Sequence, residues 1–170
     1  LSSAASDVYK RQAITNGTND LMLISDAGKA VYFNEKDARP MGRDTRGVKG
    51  ITLEEKQSVI ALIMPNNDNE ILTVSENGFG KRSKVEDFRK TKRGAKGVIA
   101  MQLSERNGKL ISANQVSEEN QVILISNKGT LVRTKVSEIS VIGRNTQGVR
   151  VIKLKANEKL NGMALAIEND

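Results

Sequence analysis

At 170 residues, with 38% hydrophobic and 28% charged content, the chain suits one domain or a few small repeated units sharing a core. It contains no cysteine and no histidine, which excludes disulfides, Cys/His metal sites, thiol nucleophiles and histidine acid–base chemistry. A formal charge of +7, with no apolar run near the roughly 18 residues of a membrane span, excludes a hydrophobic spanning helix and favours an anionic partner, nucleic acid first.

Residues 1–12 have no counterpart downstream and read as a non-native, adapter-like segment, without the basic start and apolar centre of a signal peptide. From Ala13 the chain repeats. Aligning Asn19-Asp20-Leu21 with Asn69-Glu70-Ile71 and Asn120-Gln121-Val122 brings Gly28, Gly78 and Gly129 into register, at offsets of 50 and 51. Within each unit a short β-branched run (21–24, 71–74, 122–125) ends in a glycine turn, and a second strand follows (30–33, 80–83, 131–134), which predicts a hairpin. A polar link comes next; in the second unit, Lys84 to Phe88 suits one helical turn capped by Ser83, with Glu86 three residues on. Strands are then expected at 48–53, 98–103 and 149–154, and a last apolar stretch at 59–64, 110–116 and 160–167.

Four strands in roughly 50 residues describe an antiparallel blade, which buries its faces only against neighbouring blades. The expectation is an all-β, propeller-like array over residues 13–170. Its blades lie at approximately 13–62, 63–113 and 114–162, with 163–170 opening the next, as in a piece of a larger domain.

After each hairpin, and running into the next expected strand, lies a cationic cassette in three copies: Met41-Gly42-Arg43-Asp44-Thr45-Arg46-Gly47-Val48-Lys49-Gly50-Ile51, Thr91-Lys92-Arg93-Gly94-Ala95-Lys96-Gly97-Val98-Ile99-Ala100-Met101 and Ile142-Gly143-Arg144-Asn145-Thr146-Gln147-Gly148-Val149-Arg150-Val151-Ile152. Each places an arginine four residues before a glycine. The Gly42/Gly47 and Gly143/Gly148 spacings match a phosphate loop, but neither continues with the Lys-Ser or Lys-Thr that would reach phosphates and magnesium. Between Lys81 and Lys96 the cations Lys81, Arg82, Lys84, Arg89, Lys90, Lys92, Arg93 and Lys96 face only Glu86 and Asp87. A solvated face would need fewer cations. Glycine-flanked arginines suit phosphate contact, and no aromatic platform for single strands is visible, so duplex DNA is the favoured partner.

At Gly78-Phe79-Gly80-Lys81-Arg82, Lys96-Gly97-Val98-Ile99, Thr130-Leu131-Val132-Arg133-Thr134 and the third cassette, the chain resembles the C-terminal DNA-wrapping domain of bacterial DNA gyrase A. The resemblance implies a β-pinwheel of four-stranded antiparallel blades, about three and a half of them present here, with double-stranded DNA wrapped on a basic rim. It places DNA contacts at Arg43, Arg46 and Lys49, at Lys81, Arg82, Lys90, Lys92, Arg93 and Lys96, and at Arg133, Arg144 and Arg150. It further implies a bacterial cytoplasmic, nucleoid-associated component of a type II topoisomerase. The partners would be the rest of gyrase A, together with gyrase B, and no membrane. This fragment would hold no cofactor, because ATP and Mg2+ act elsewhere in the parent enzyme, and no catalytic residue. One departure stands out: the family's Gln-Arg-Arg-Gly-Gly-Lys-Gly box is represented only by the degenerate Lys92-Arg93-Gly94-Ala95-Lys96-Gly97, which places the intact box upstream. Two other readings remain: the related component of topoisomerase IV, and a propeller that serves as a protein interaction platform.

Overall fold

A computed structural model describes residues 11–166. The adapter-like segment lies outside the described residues except for Arg11 and Gln12, which are exposed and outside any strand. Eleven strands are present among the described residues: β1 (Asp20–Ser25), β2 (Lys29–Asn34), β3 (Val59–Ile63), β4 (Glu70–Ser75), β5 (Phe79–Lys84), β6 (Val98–Ile99), β7 (Leu110–Val116), β8 (Gln121–Ser126), β9 (Leu131–Lys135), β10 (Val149–Arg150) and β11 (Leu160–Ala166).

All pairings between these strands are antiparallel and form three sheets, ordered β3-β1-β2-β6, β10-β5-β4-β7 and β11-β8-β9. The hairpins β1–β2, β4–β5 and β8–β9 fall where the alternation and glycine turns predict them. The cassette strands behave differently. Val98–Ile99 pairs with Ala30 and Lys29 of the first sheet, and Val149–Arg150 pairs with Gly80 and Phe79 of the second. Each of these two sheets is thus completed by a strand from the following unit, and only two residues of each expected six-residue strand join it. The stretch at 48–53 forms no strand at all, because no described sheet precedes it to offer an edge. β11 completes the pairing of β8, and the residues beyond 166, expected to open a further blade, lie outside the described part.

Stacking of the sheets explains why the runs are apolar on both faces. In β4, Ile71 packs with Met22, Ile24 and Ile63 of the first sheet, while Leu72 and Val74 pack with Val122 and Leu124 of the third. All of them are buried, and a fully buried aliphatic side chain of this size contributes about 1.5–3 kcal/mol. β3 lies beside β7 and β7 beside β11, so these strands occupy the inner edges and leave the cassettes at the outer edge.

Three short 3-10 turns follow the hairpins, at Glu35–Asp37, Val85–Asp87 and Val136–Glu138. The second matches the expected helical turn but not its expected cap. Its N-cap is Lys84, with no side-chain bond, and Ser83 Oγ instead donates to the Ile142 carbonyl at 3.0 Å. In the first turn Asn34 does cap, accepting from the Lys36 amide.

Candidate nucleic-acid interface

Backbone bonds stitch successive cassettes together. The Thr52 amide donates to Ala95 O and the Gln102 amide, one unit on, donates to Thr146 O, both at 2.9 Å. The Gly94 amide adds a 2.7 Å bond to Gly50 O. The cassettes therefore form one continuous ribbon along the outer edges of the sheets.

The arginine that precedes the cassette glycine by four residues is the clamp. Arg93 donates from Nε to Asp37 O (2.7 Å) and from Nη1 to Lys49 O (2.6 Å). Arg144 repeats both bonds one unit later, to Asp87 O and Ile99 O, each at 2.9 Å. Asp37 and Asp87 close the 3-10 turns, whose terminal carbonyls have no partner within the turn and favour a cation. Both arginines are half-buried, each holding its own cassette against the preceding unit. Arg43 has the same register in the first cassette and is exposed.

Two of the expected DNA contacts lie inside the protein. Lys81 is fully buried, and its ammonium donates to Ser83 Oγ (2.9 Å), Gly143 O (3.0 Å) and Arg144 O (2.7 Å), which uses all three protons. Arg82, 5% exposed, donates from Nε to Ile139 O (2.7 Å) and pairs through Nη1 with Glu70 (3.0 Å). Both side chains fasten the second sheet to the third unit, so neither presents its charge outward.

Burial pulls the Lys81 amine down to about 8; Asp87 opposes that shift and Arg144 adds to it. Between pH 8 and 10.5 the unfolded chain holds a proton that the folded chain has released, so stability rises with pH across that window, by up to about 1.4 kcal/mol per pH unit. Urea titrations at pH 7.5 and 9.5 are expected to show wild type gaining about 2 kcal/mol relative to Lys81→Met over that interval. Parallel pH profiles for the two proteins would show that Lys81 is not the group responsible.

The remaining expected contacts are exposed: Arg43, Arg46 and Lys49 on the first cassette, Lys92 and Lys96 on the second, Arg150 on the third, and Arg133 on β9. Lys90 is exposed too, but pairs with Asp20 at 2.7 Å and stands 5.7 Å from the Tyr32 ring centroid. Arg106, which was not singled out from the sequence, lies with Arg150 against Phe79. It occupies the register of Lys56 and Asn157 in a loop outside the cassette, so no repeated basic pattern marks it.

The loop before each last strand carries a second repeated device. Gln57, Asn107 and Glu158 share one register, and each accepts from the backbone amide three residues back, Glu54, Ser104 and Lys155 respectively. Glu158 also accepts from Ser126 Oγ and Thr130 Oγ1, and these bonds hold its carboxyl at about 2, far below the usual carboxylate range.

The family described as "DNA gyrase C-terminal domain, beta-propeller" matches residues 19–66, 69–117 and 120–166. The DNA gyrase A protein of Pseudomonas aeruginosa is 51% identical over 157 residues, covering 92% of this chain and 17% of that protein. This chain therefore spans under a fifth of that relative. A solved DNA gyrase A C-terminal domain superposes with a TM-score of 0.80 at 30% identity, covering 88% of this chain and 51% of the other. The C-terminal domain of a DNA topoisomerase IV gives 0.81 at 25% identity, covering 89% and 47%.

Proposed function

The chain belongs to the DNA gyrase C-terminal β-propeller family, and from that premise we propose that it binds duplex DNA along its stacked cassettes and holds it bent, without reading bases, as part of a gyrase A protein. The observation that carries this reading is the ribbon itself. Backbone bonds and the Arg93 and Arg144 clamps fix three cassettes in series, and exposed cations project from each.

The contact set we propose is Arg43, Arg46, Lys49, Lys92, Lys96, Arg133 and Arg150, with Lys90 released from Asp20 where a phosphate competes. Lys81 and Arg82 are left out because their charges are spent internally, and Arg93 and Arg144 act by positioning the ribbon. Bending a 20–30 base-pair site by 40–90° costs about 1–6 kcal/mol, more than contacts from one cassette would offset, so successive cassettes must act together. Cations fixed along an arc favour the bent duplex because only that form meets several of them at once.

The chemistry of strand passage, ATP and Mg2+ would belong to other parts of the gyrase A and gyrase B assembly in the bacterial cytoplasm, and this chain would supply no cofactor site. Tyr32, one of the two tyrosines, is buried in β2 with its hydroxyl donating to Asp20, a poor setting for a nucleophile. The gyrase reading is favoured over topoisomerase IV by the 51% identity to a gyrase A protein.

A duplex mobility-shift titration across salt tests the proposal. With about six phosphates engaged, log K is expected to fall against log salt with a slope near −5. Absence of duplex binding even at low salt would defeat it and leave the basic edge to an acidic protein partner.

A further inference from the structure

Phe79 begins β5 and is 2% exposed, yet two cations rest against its ring: the guanidinium carbons of Arg106 and Arg150 stand 4.7 and 4.8 Å from its centroid. Both arginines are exposed, and neither has a carboxylate partner among the described residues. They line an open cleft of about 360 Å³ together with Lys155, Lys159 and Glu158. Glu158 is ionised and shares this lining, but its oxygens accept from Ser126, Thr130 and the Lys155 amide rather than from either arginine, and Arg106, Arg150, Lys155 and Lys159 together outweigh its one negative charge. Lys159 donates to Asn77 and reaches Glu76 only at 3.8 Å.

A guanidinium lying against an aromatic ring is held in place by the ring quadrupole, and its flat fork loses little further freedom when it takes an oxyanion through two parallel N–H bonds. Two like charges against one ring also repel, and an anion between them relieves that repulsion. We propose that Arg106 and Arg150, oriented by Phe79, form an oxyanion subsite for the duplex backbone, extending the track from the third cassette onto the loop end of the second blade. The assignment of its ligand rests on the duplex-binding reading above; the site itself does not. Arg150 connects the two, being the last cation of the cassette and the cross-strand partner of Phe79.

Two measurements test this. In 15N-labelled chain, replacing chloride by inorganic phosphate at constant ionic strength is expected to shift the Nε–Hε resonances of Arg106 and Arg150 more than that of Arg46, which is exposed with no ring against it among the described residues. Arg106→Ala is expected to make the duplex salt slope shallower by about 0.9, one phosphate contact. No selective shift with phosphate would overturn the site whatever the duplex does. A selective shift with an unchanged slope in Arg106→Ala would mean that the cleft takes free oxyanions and would overturn the duplex assignment. Should phosphate shift both resonances while wild type binds no duplex, the site stands, and both its DNA role and the proposed function fall.

Discussion

Gly97→Ala is expected to destabilise the chain by about 3–5 kcal/mol, whereas Gly47→Ala, at the same cassette position one unit earlier, is expected to cost about 1 kcal/mol. Both glycines have positive φ, 84° and 74°, so an alanine meets a similar backbone strain at either. Their surroundings differ. A Cβ on Gly97 would run into the Ala30 carbonyl, 2.7 Å from its carbon, and would crowd Val31 Cγ2 at 3.1 Å, whereas one on Gly47 meets nothing within 4 Å. The clash is with backbone that β6 must approach to pair with β2, so relief would mean detaching the strand that closes the first sheet. Urea unfolding of both variants measures the difference. Equal losses at the two positions would show that the cassette glycine is needed for its φ alone, and that the docking of β6 contributes little.

The second large effect is on binding. Lys92→Glu together with Lys96→Glu is expected to weaken duplex affinity by roughly a hundredfold at 0.15 M salt and to flatten the salt slope by about 2, as two phosphate contacts are lost and two repulsions added. Both lysines are exposed with no ion-pair partner among the described residues, so the unfolding midpoint should stay near that of wild type. Arg93 is left intact in this variant because its guanidinium holds Asp37 O and Lys49 O, and its loss would mix destabilisation with binding. Unchanged affinity in the double variant would remove the second cassette from the DNA track.

The hairpins were legible because their cause is local: a short apolar run, a glycine turn and a second run fix β1–β2, β4–β5 and β8–β9 without reference to anything distant. The exchange of cassette strands was not, since identical repeats look the same whether Val98 pairs within its own unit or with Ala30 of the one before. The same blindness affected the charges. Lys81 and Arg82 sit in a β-strand buried on both faces, at a register filled in the other units by Val31 and Tyr32 or Val132 and Arg133, and a count of cations along the chain carries no information about which way they point. Arg93 and Arg144 were singled out for their regular spacing, and that regularity reflects the packing of one unit on the next. Six of the seven exposed cations follow from position instead, because the cassettes lie at the outer edge; the seventh, Arg133, is exposed because β9 is the edge strand of the third sheet.

Completion of a sheet by the following unit has a consequence for how the chain is made. The first sheet acquires its last strand only when Val98 and Ile99 exist, roughly 65 residues after β2 ends, which at about 5–20 residues per second is an interval of roughly 3–13 s of synthesis. Throughout that interval the outer edge of β2 presents unpaired amides and carbonyls, an invitation to pair with a neighbouring nascent chain. Maturation is therefore vectorial and always one unit in arrears, with each repeat serving as the lid of its predecessor. A pause in translation just after Asn34 should be more hazardous for this protein than one just after Ile99.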